Sequence, residues 1–404
     1  MEYHQDIHQR RASRNHRQKQ RRASYLEEAF SHPGPSDAPH NFCNKKEKSI
    51  PQSILGQWQL LGVDLADIIP EQVTSLDNLS NKTLAVDAYN ALFQFLAIIR
   101  QPDGTPLKDR RGRVTSHLSG LLYRTTNLAE KGIKLAFVFD GKPPELKELE
   151  IRRRRQVKEE AVVRYERALK EGKLEEARTY AQATSQLKDT MVGDAKKLLD
   201  ALGVPWVQAP SEGEAQASII SSRGDVWAVA SQDHDSLLFG APRMVKNLAI
   251  TGRRKLPRRD AYVEVEPKLI ELAKVLEELS LTREQLVDVG ILIGTDFDPD
   301  GVKGIGPKTA LKLIHEHGNL EKAMASNPSI TIYPAPEIIR KIFLQPDVTT
   351  DYSLKWSKPD EEKAVSFLCG ERDFSEDRVR KAVSRMTTVT TSPPPKKTLE
   401  SYFS

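Results

Sequence analysis

The chain has 404 residues, 38% of them hydrophobic and 29% charged, which is enough apolar surface for a full-sized core and excludes a wholly disordered protein or a disulfide-stapled miniature. Its two cysteines, Cys43 and Cys369, exclude a disulfide framework and a cysteine-based zinc site, and no apolar run reaches membrane-spanning length. The net charge is +5, but residues 1–60 hold ten Lys/Arg against six Asp/Glu, which leaves 51 basic and 50 acidic groups in residues 61–404, so any nucleic-acid surface must come from local segregation of charge.

Residues 1–60 are rich in Arg, Gln and His and lack apolar periodicity before Ile54; they read as a disordered extension. The segment also lacks the apolar core of a signal peptide, so neither secretion nor membrane insertion is expected. Five of the nine histidines fall in it (His4, His8, His16, His32, His40), without ligand spacing. From residue 61 strand-like runs at 83–86, 134–139, 226–230, 244–245 and 262–265 alternate with helical periods. This pattern predicts an α/β fold with a mostly parallel central sheet flanked by helices, whose sites lie just past the strand ends. Residues 147–188 carry twelve Lys/Arg and eight Asp/Glu, including Arg152 to Arg155 in a row. Such a stretch cannot bury a core of its own, and predicts helices that project from the body and order on a partner; a solvated, salt-bridged insertion fits the charge pattern equally well. A Thr/Ser/Val run from Met386 and three prolines from Pro393 predict a flexible tail over 386–404, ending in exposed aromatics that need a receiving surface.

Acidic residues recur where the sheet edge is expected. Asp87 and Asp140 end strands, Asp233 and Asp235 follow a third, Glu212 and Glu214 open a helix, and Asp296 follows an apolar helix. Each has an ordinary structural reading: Asp is common in turns, and Ser211 with Glu214 forms a capping-box pattern. Seven carboxylates converging on one edge would repel one another by several kcal/mol without cations. Oxygen donors without His or Cys select Mg²⁺ or Mn²⁺, and two such ions about 4 Å apart are a general device for phosphodiester hydrolysis. A second signal runs from Gly301 to Ala310. Pro307 between Gly306 and Lys308 breaks the Walker A pattern, and Gly304-x-Gly306 between two helices instead offers backbone N–H groups to a phosphate; a plain glycine turn between packed helices is the alternative.

Together the stretches Val86-Asp87-Ala88-Tyr89-Asn90-Ala91, Gln101-Pro102-Asp103-Gly104-Thr105-Pro106, Val138-Phe139-Asp140-Gly141-Lys142-Pro143-Pro144, Ala209-Pro210-Ser211-Glu212-Gly213-Glu214-Ala215 and Gly294-Thr295-Asp296 with Gly304-Ile305-Gly306-Pro307-Lys308 resemble the flap endonucleases of archaeal type, within the structure-specific 5′ nucleases. The resemblance spans nearly all of residues 62–403. It implies 5′-flap endonuclease and 5′–3′ exonuclease action on branched DNA, in lagging-strand maturation and repair, by a cytoplasmic monomer associated with the nucleoid during replication. It implies a two-ion Mg²⁺ site, with Mn²⁺ able to substitute, on Asp87, Asp140, Glu212, Glu214, Asp233, Asp235 and Asp296. Phe93 corresponds to an aromatic on which the base beside the scissile phosphate stacks, and Lys147 to a catalytic basic residue. Arg152 is the choice for a second catalytic basic residue, with Arg153 and Arg154 left open. The insertion at about 147–190 becomes a helical arch around the free 5′ end. The element at about 284–318, with Gly304, Gly306 and Lys308, becomes a duplex-binding helix-two-turn-helix that also holds K⁺. The tail resembles a sliding-clamp-binding motif with Leu399, Tyr402 and Phe403 as anchors and Lys396 where a glutamine is usual. Family chains begin Met-Gly where Leu61-Gly62 stands here, so residues 1–60 are expected to be an upstream translation artefact, with the nuclease body over 61–385.

Overall fold

The computed structural model describes residues 63–391 apart from 102, 174–175, 178–179, 181–186 and 256–261. The expected N-terminal extension and the clamp motif at Leu399, Tyr402 and Phe403 lie outside the described residues.

The apolar runs become strands because they supply side chains for both faces of a covered sheet. β1 (Gln72–Val73), β2 (Thr83–Asp87), β3 (Lys134–Phe139), β4 (Trp206–Gln208), β5 (Ala228–Ala230) and β6 (Arg243–Lys246) share one sheet. The strand order, with a seventh strand of residues Lys268–Glu271, is β1, Lys268–Glu271, β6, β5, β2, β3, β4. β2 to β6 run parallel, whereas Lys268–Glu271 and β1 add an antiparallel edge. The mostly parallel sheet expected from the alternating pattern is the one observed, and the fold class is α/β.

The chain winds outward from β2 through β3 to β4, then returns to the other side of β2 with β5 and β6. That reversal makes a switch point between β2 and its two neighbours, where connecting loops diverge and leave a crevice beyond the carboxyl ends. The register places Asp87 opposite Val138 on β3 and sets Val86 opposite Ala230 on β5. Asp140, Asp233 and Asp235 therefore emerge beside Asp87 at the same edge. Strands β1, β4 and Lys268–Glu271 are two to four residues long, too short to register as a period in the sequence. Residues 262–265 are a strand as expected, but outside the large sheet: β7 (Gly252–Lys255) and β8 (Tyr262–Val265) pair antiparallel, and fall outside the unit that holds the large sheet.

Buried side chains such as Leu84, Val229 and Phe139 fill the sheet layers, and in a second core under the later helices Phe343 meets Phe297 edge-on and Phe239 at a tilt. α1 (Ala88–Ile98) follows β2 directly, and α2 (Ser116–Glu130) precedes β3. α3 (Glu148–Lys170) opens the insertion read as the arch; it leaves Ile151, Val157, Val163 and Leu169 exposed, as expected of a helix without its own core. α4 (Asp189–Ala201) leads to β4, and α5 (Gly213–Ser222) to β5. Further on, α6 (Arg283–Ile293) begins with a Thr282/Gln285 capping box and α7 (Pro307–His317) has Gly306 at its N-cap and Pro307 in its first turn. The final helix, α8 (Glu376–Thr391), continues six residues past 385, where the tail was expected to begin. Its apolar face, Val379, Ala382, Val383 and Met386, is buried as α8 packs on α2; tertiary burial overrides the weak helix propensity of the Thr-rich end.

Candidate active site

Asp87 has two local duties. It ends β2 and is also the N-cap of α1, its Oδ1 accepting the Asn90 N–H at 3.1 Å. Asp140 lies one residue past β3, and its Oδ1 accepts the Gly213 N–H at 2.6 Å. This close approach needs glycine: a Cβ on Gly213 would sit 2.6 Å from that oxygen and 3.3 Å from the Val138 carbonyl. The capping-box reading of Ser211 and Glu214 is not realised. Glu212 takes the N-cap of α5 without a side-chain cap bond, Ser211 gives its carbonyl to Gly141 N–H, and Glu214 accepts from the Ser231 hydroxyl. Asp233 accepts the Asp235 N–H at 3.0 Å, and Asp235 accepts the Val63 N–H at 3.0 Å. One ligand oxygen from each of Glu214, Asp233 and Asp235 falls within a 4.8 Å span.

The electrostatics confirm that these groups crowd together. Burial, then the neighbouring Asp140, raises the Asp87 carboxyl to about 7. Burial, then Asp296, raises Asp235 to about 7, and burial, then Glu212, raises Asp140 to about 6. Glu214 and Asp233 are also raised, by burial first and then by Asp233 and Asp235 respectively. Asp296 goes the other way. Burial acts to raise it, but Lys147 and Arg154 outweigh burial and hold it below the usual carboxylate range.

Those two cations come from the insertion. Lys147 Nζ pairs with Glu212 and lies 2.9 Å from Asp296, and Arg154 pairs with Asp296 and, at 2.8 Å, with Glu150. Of the arginines left open, Arg154 is therefore the one that reaches the carboxylates, and Arg152 does not. Arg152 is three-quarters exposed and pairs with Glu148 on its own helix, and Arg153 pairs with Asp300. The reason is helical phase: at about 100° per residue, an offset of seven from Lys147 returns to the same face and an offset of five does not. Lys158, at an offset of eleven, shares that face and sits 4.7 Å from the centroid of the Phe93 ring. Its position was legible from the same phase rule, applied from Lys147 instead of by counting along the arginine run.

Phe93, on α1, is half-buried. Gly304, with φ of +85°, is exposed with open space around it, and Lys308 is exposed in the first turn of α7. The structure thus gathers Asp87, Asp140, Glu212, Glu214, Asp233, Asp235, Asp296 and Lys147 at one sheet edge, with Phe93 under the insertion helix. Gly304 and Gly306 lie in the separate α6–α7 connection, and Lys308 in the first turn of α7.

A family model described as the XPG N-terminal domain matches residues 61–161, and one described as the XPG I-region matches residues 203–296. Flap endonuclease 1 of Hyperthermus butylicus is 60% identical over 329 residues, covering 81% of this chain and 94% of the relative. The chain belongs to the flap endonuclease family. The Pyrococcus furiosus member is 51% identical over 343 residues, covering 85% of this chain and 99% of its own. Among solved structures, flap endonuclease-1 from Methanococcus jannaschii matches with a TM-score of 0.65 at 42% identity over 81% of this chain and 98% of that one. The catalytic core of Rad2 in complex with DNA substrate shares the fold, at a TM-score of 0.59 and 23% identity.

The flap endonuclease family is metal-dependent, and the residues present fit a hard divalent ion. The donors are all carboxylate oxygens, five of the seven have raised pKa values, and among the described residues the group Glu214, Asp233 and Asp235 includes no His or Cys, the intervening His234 turning its ring to the Val63 carbonyl and Lys246. Lys147 and Arg154 pair directly with Glu212 and Asp296. The acidic cluster is a candidate metal-binding site in the described residues.

Proposed function

We propose that this chain cleaves branched DNA at the junction where a 5′ flap leaves a duplex, with endonuclease and 5′–3′ exonuclease action, in lagging-strand maturation and repair. The observation that carries this reading is the convergence of seven carboxylates at the switch point of the sheet, beside Lys147 just before α3 and Arg154 on it. Asp87, Asp140, Glu212, Glu214, Asp233, Asp235 and Asp296 would hold two Mg²⁺ ions, replaceable by Mn²⁺, whose chemistry there would be to activate water and offset phosphate charge. The protein's own groups do the rest. Lys147 and Arg154 neutralise the scissile phosphate, Phe93 offers a stacking face to the adjoining base, and the insertion at about 147–190 surrounds the free 5′ end.

The α6–α7 connection grips the duplex through the backbone at Gly304 and Gly306, with Lys308 from the first turn of α7, and the same element would hold K⁺. Such contacts position the DNA without reading its sequence. Leu399, Tyr402 and Phe403 tether the enzyme to a sliding clamp, raising its concentration at DNA ends. The enzyme acts as a cytoplasmic monomer associated with the nucleoid during replication.

The test is Asp233→Ala. Cleavage of a 5′-flap duplex is expected to be abolished while flap binding stays within about tenfold, since affinity rests on phosphate contacts elsewhere. Cleavage retained at a tenth of the wild-type rate overturns the assignment, and wild-type preference for a bubble or four-way junction over the flap overturns the substrate.

A further inference from the structure

Asp140 stands just beyond the sheet's own hydrogen bonding. The last backbone bond between β3 and β4 runs from Ala209 N–H to the Phe139 carbonyl at 2.9 Å. Past that bond, the Asp140 carbonyl accepts from the Gln208 side-chain amide at 2.7 Å. The same Nε2 lies 3.3 Å from the Phe139 carbonyl and 3.2 Å from that of Ala209. At the other end of the amide, Gln208 Oε1 accepts from Lys196 Nζ at 2.7 Å. That ammonium is itself fixed, 4.3 Å from the Trp206 ring centroid and 4.9 Å from that of Phe139.

The orientation of the amide follows from donor chemistry. An ammonium can only donate, so the Gln208 oxygen must face Lys196 and its NH₂ must face the three carbonyls. The ammonium also polarises the amide and strengthens its donation. Asp140 is thereby held at two points: its main-chain carbonyl by Gln208 and its carboxylate by Gly213 N–H. Fixing both ends of so short a residue fixes where its second carboxylate oxygen can go.

We propose that Gln208 is a positioning residue for the Asp140 carboxylate, with Lys196 setting the orientation of its amide. This rests on the reading of Asp140 as a metal ligand. Groups behind a ligand tune its metal affinity by about ten- to a hundredfold in known sites; the lower end suits Gln208, whose side chain is solvent-exposed.

Gln208→Leu removes the amide, whereas Gln208→Glu keeps an oxygen for Lys196 and replaces the donor with an acceptor. Mn²⁺ binding to the DNA-free protein, read by electron paramagnetic resonance, is expected to weaken about tenfold in both variants. The single-turnover rate on a 5′ flap falls to match, while flap-DNA affinity and melting temperature stay at wild type. Wild-type Mn²⁺ binding in Gln208→Glu overturns the proposal, since the donor would then be dispensable. A melting temperature that falls together with the rate in both variants also overturns it, by showing a purely structural role. Asp140→Asn separates the premise from the inference. Loss of Mn²⁺ binding in Asp140→Asn with none in Gln208→Leu sinks the positioning role alone, and wild-type binding in Asp140→Asn sinks the reading of Asp140 and the proposal with it.

Discussion

Arg152 and Arg154 differ by two positions and face opposite surroundings. Arg154 bridges Asp296 and Glu150 at the carboxylate edge, and Arg152 makes a surface i,i+4 pair with Glu148. Arg154→Ala is therefore expected to lower single-turnover cleavage by about a hundredfold or more, the scale of losing one donor aimed at developing charge. Arg152→Ala should stay within about threefold, because exposed pairs contribute little; equal losses in the two variants would contradict the assignment. Gly213 makes a similar point about space. Gly213→Ala places a methyl 2.6 Å from Asp140 Oδ1, and that carboxylate or the turn must shift. Cleavage should fall by about tenfold or more through misplacement of the ligand, with secondary structure by circular dichroism unchanged. The carboxylates themselves were legible because Asp and Glu after apolar runs are visible in one dimension. The hydrogen bonds of Ser231, Gln208 and Arg154 were not, since each partner lies between 17 and 142 residues away.

Among the elements, α3 sets the charge of the site. In the DNA-free protein Lys147 and Arg154 rest on Glu212 and Asp296, so these cations compete with a divalent ion for the same oxygens. Replacing both with Met should raise Mn²⁺ affinity in the absence of DNA, measured by calorimetry, by several-fold, while cleavage falls. A ligand that must displace an existing contact binds more weakly by the free energy of that contact. Unchanged or weaker Mn²⁺ binding in the double variant would show that α3 does not compete. Strand existence was readable where three or more apolar residues run together, as in β2 and β3. It was not readable for β1 or β4, whose pairing is decided by neighbours already in place. The end of α8 shows the converse, with a Thr-rich sequence held helical by burial of Val383 and Met386 against α2.

Across the whole molecule, the carboxylate cluster makes stability depend on pH and metal together. Burial and mutual repulsion hold Asp87 and Asp235 at about 7 and Asp140 at about 6. With folded pKa values above the unfolded ones, the folded chain binds more protons between about pH 4 and 7, so stability falls as pH rises through that window. His117 and His234 act in the opposite sense. Burial holds both at about 4, and their contribution is present above about pH 6.5 and lost as pH falls. A bound divalent ion removes the repulsion among the carboxylates and leaves the His117 contribution unchanged in a difference measurement. The rise in melting temperature on adding saturating Mg²⁺ should therefore be larger at about pH 8 than at about pH 6. An increment that is flat or reversed would mean that these carboxylates do not hold the ion.

What the amino-acid sequence determined by itself was the alternation that makes an α/β fold, the acidic residues at strand ends, and a basic insertion too polar to fold alone. These are properties of composition and short-range period, and a chain carries them before it folds. The tertiary structure decided the rest. Only the strand order brings Asp87, at the end of the first long strand, beside Asp233 and Asp235, more than 140 residues later. Only the docking of α3 on that edge selects Arg154 over its neighbours, because helical phase has meaning only relative to the surface the helix faces. The position of Gln208 beneath Asp140 depends on β4, a three-residue strand that exists because β3 is there to pair with it.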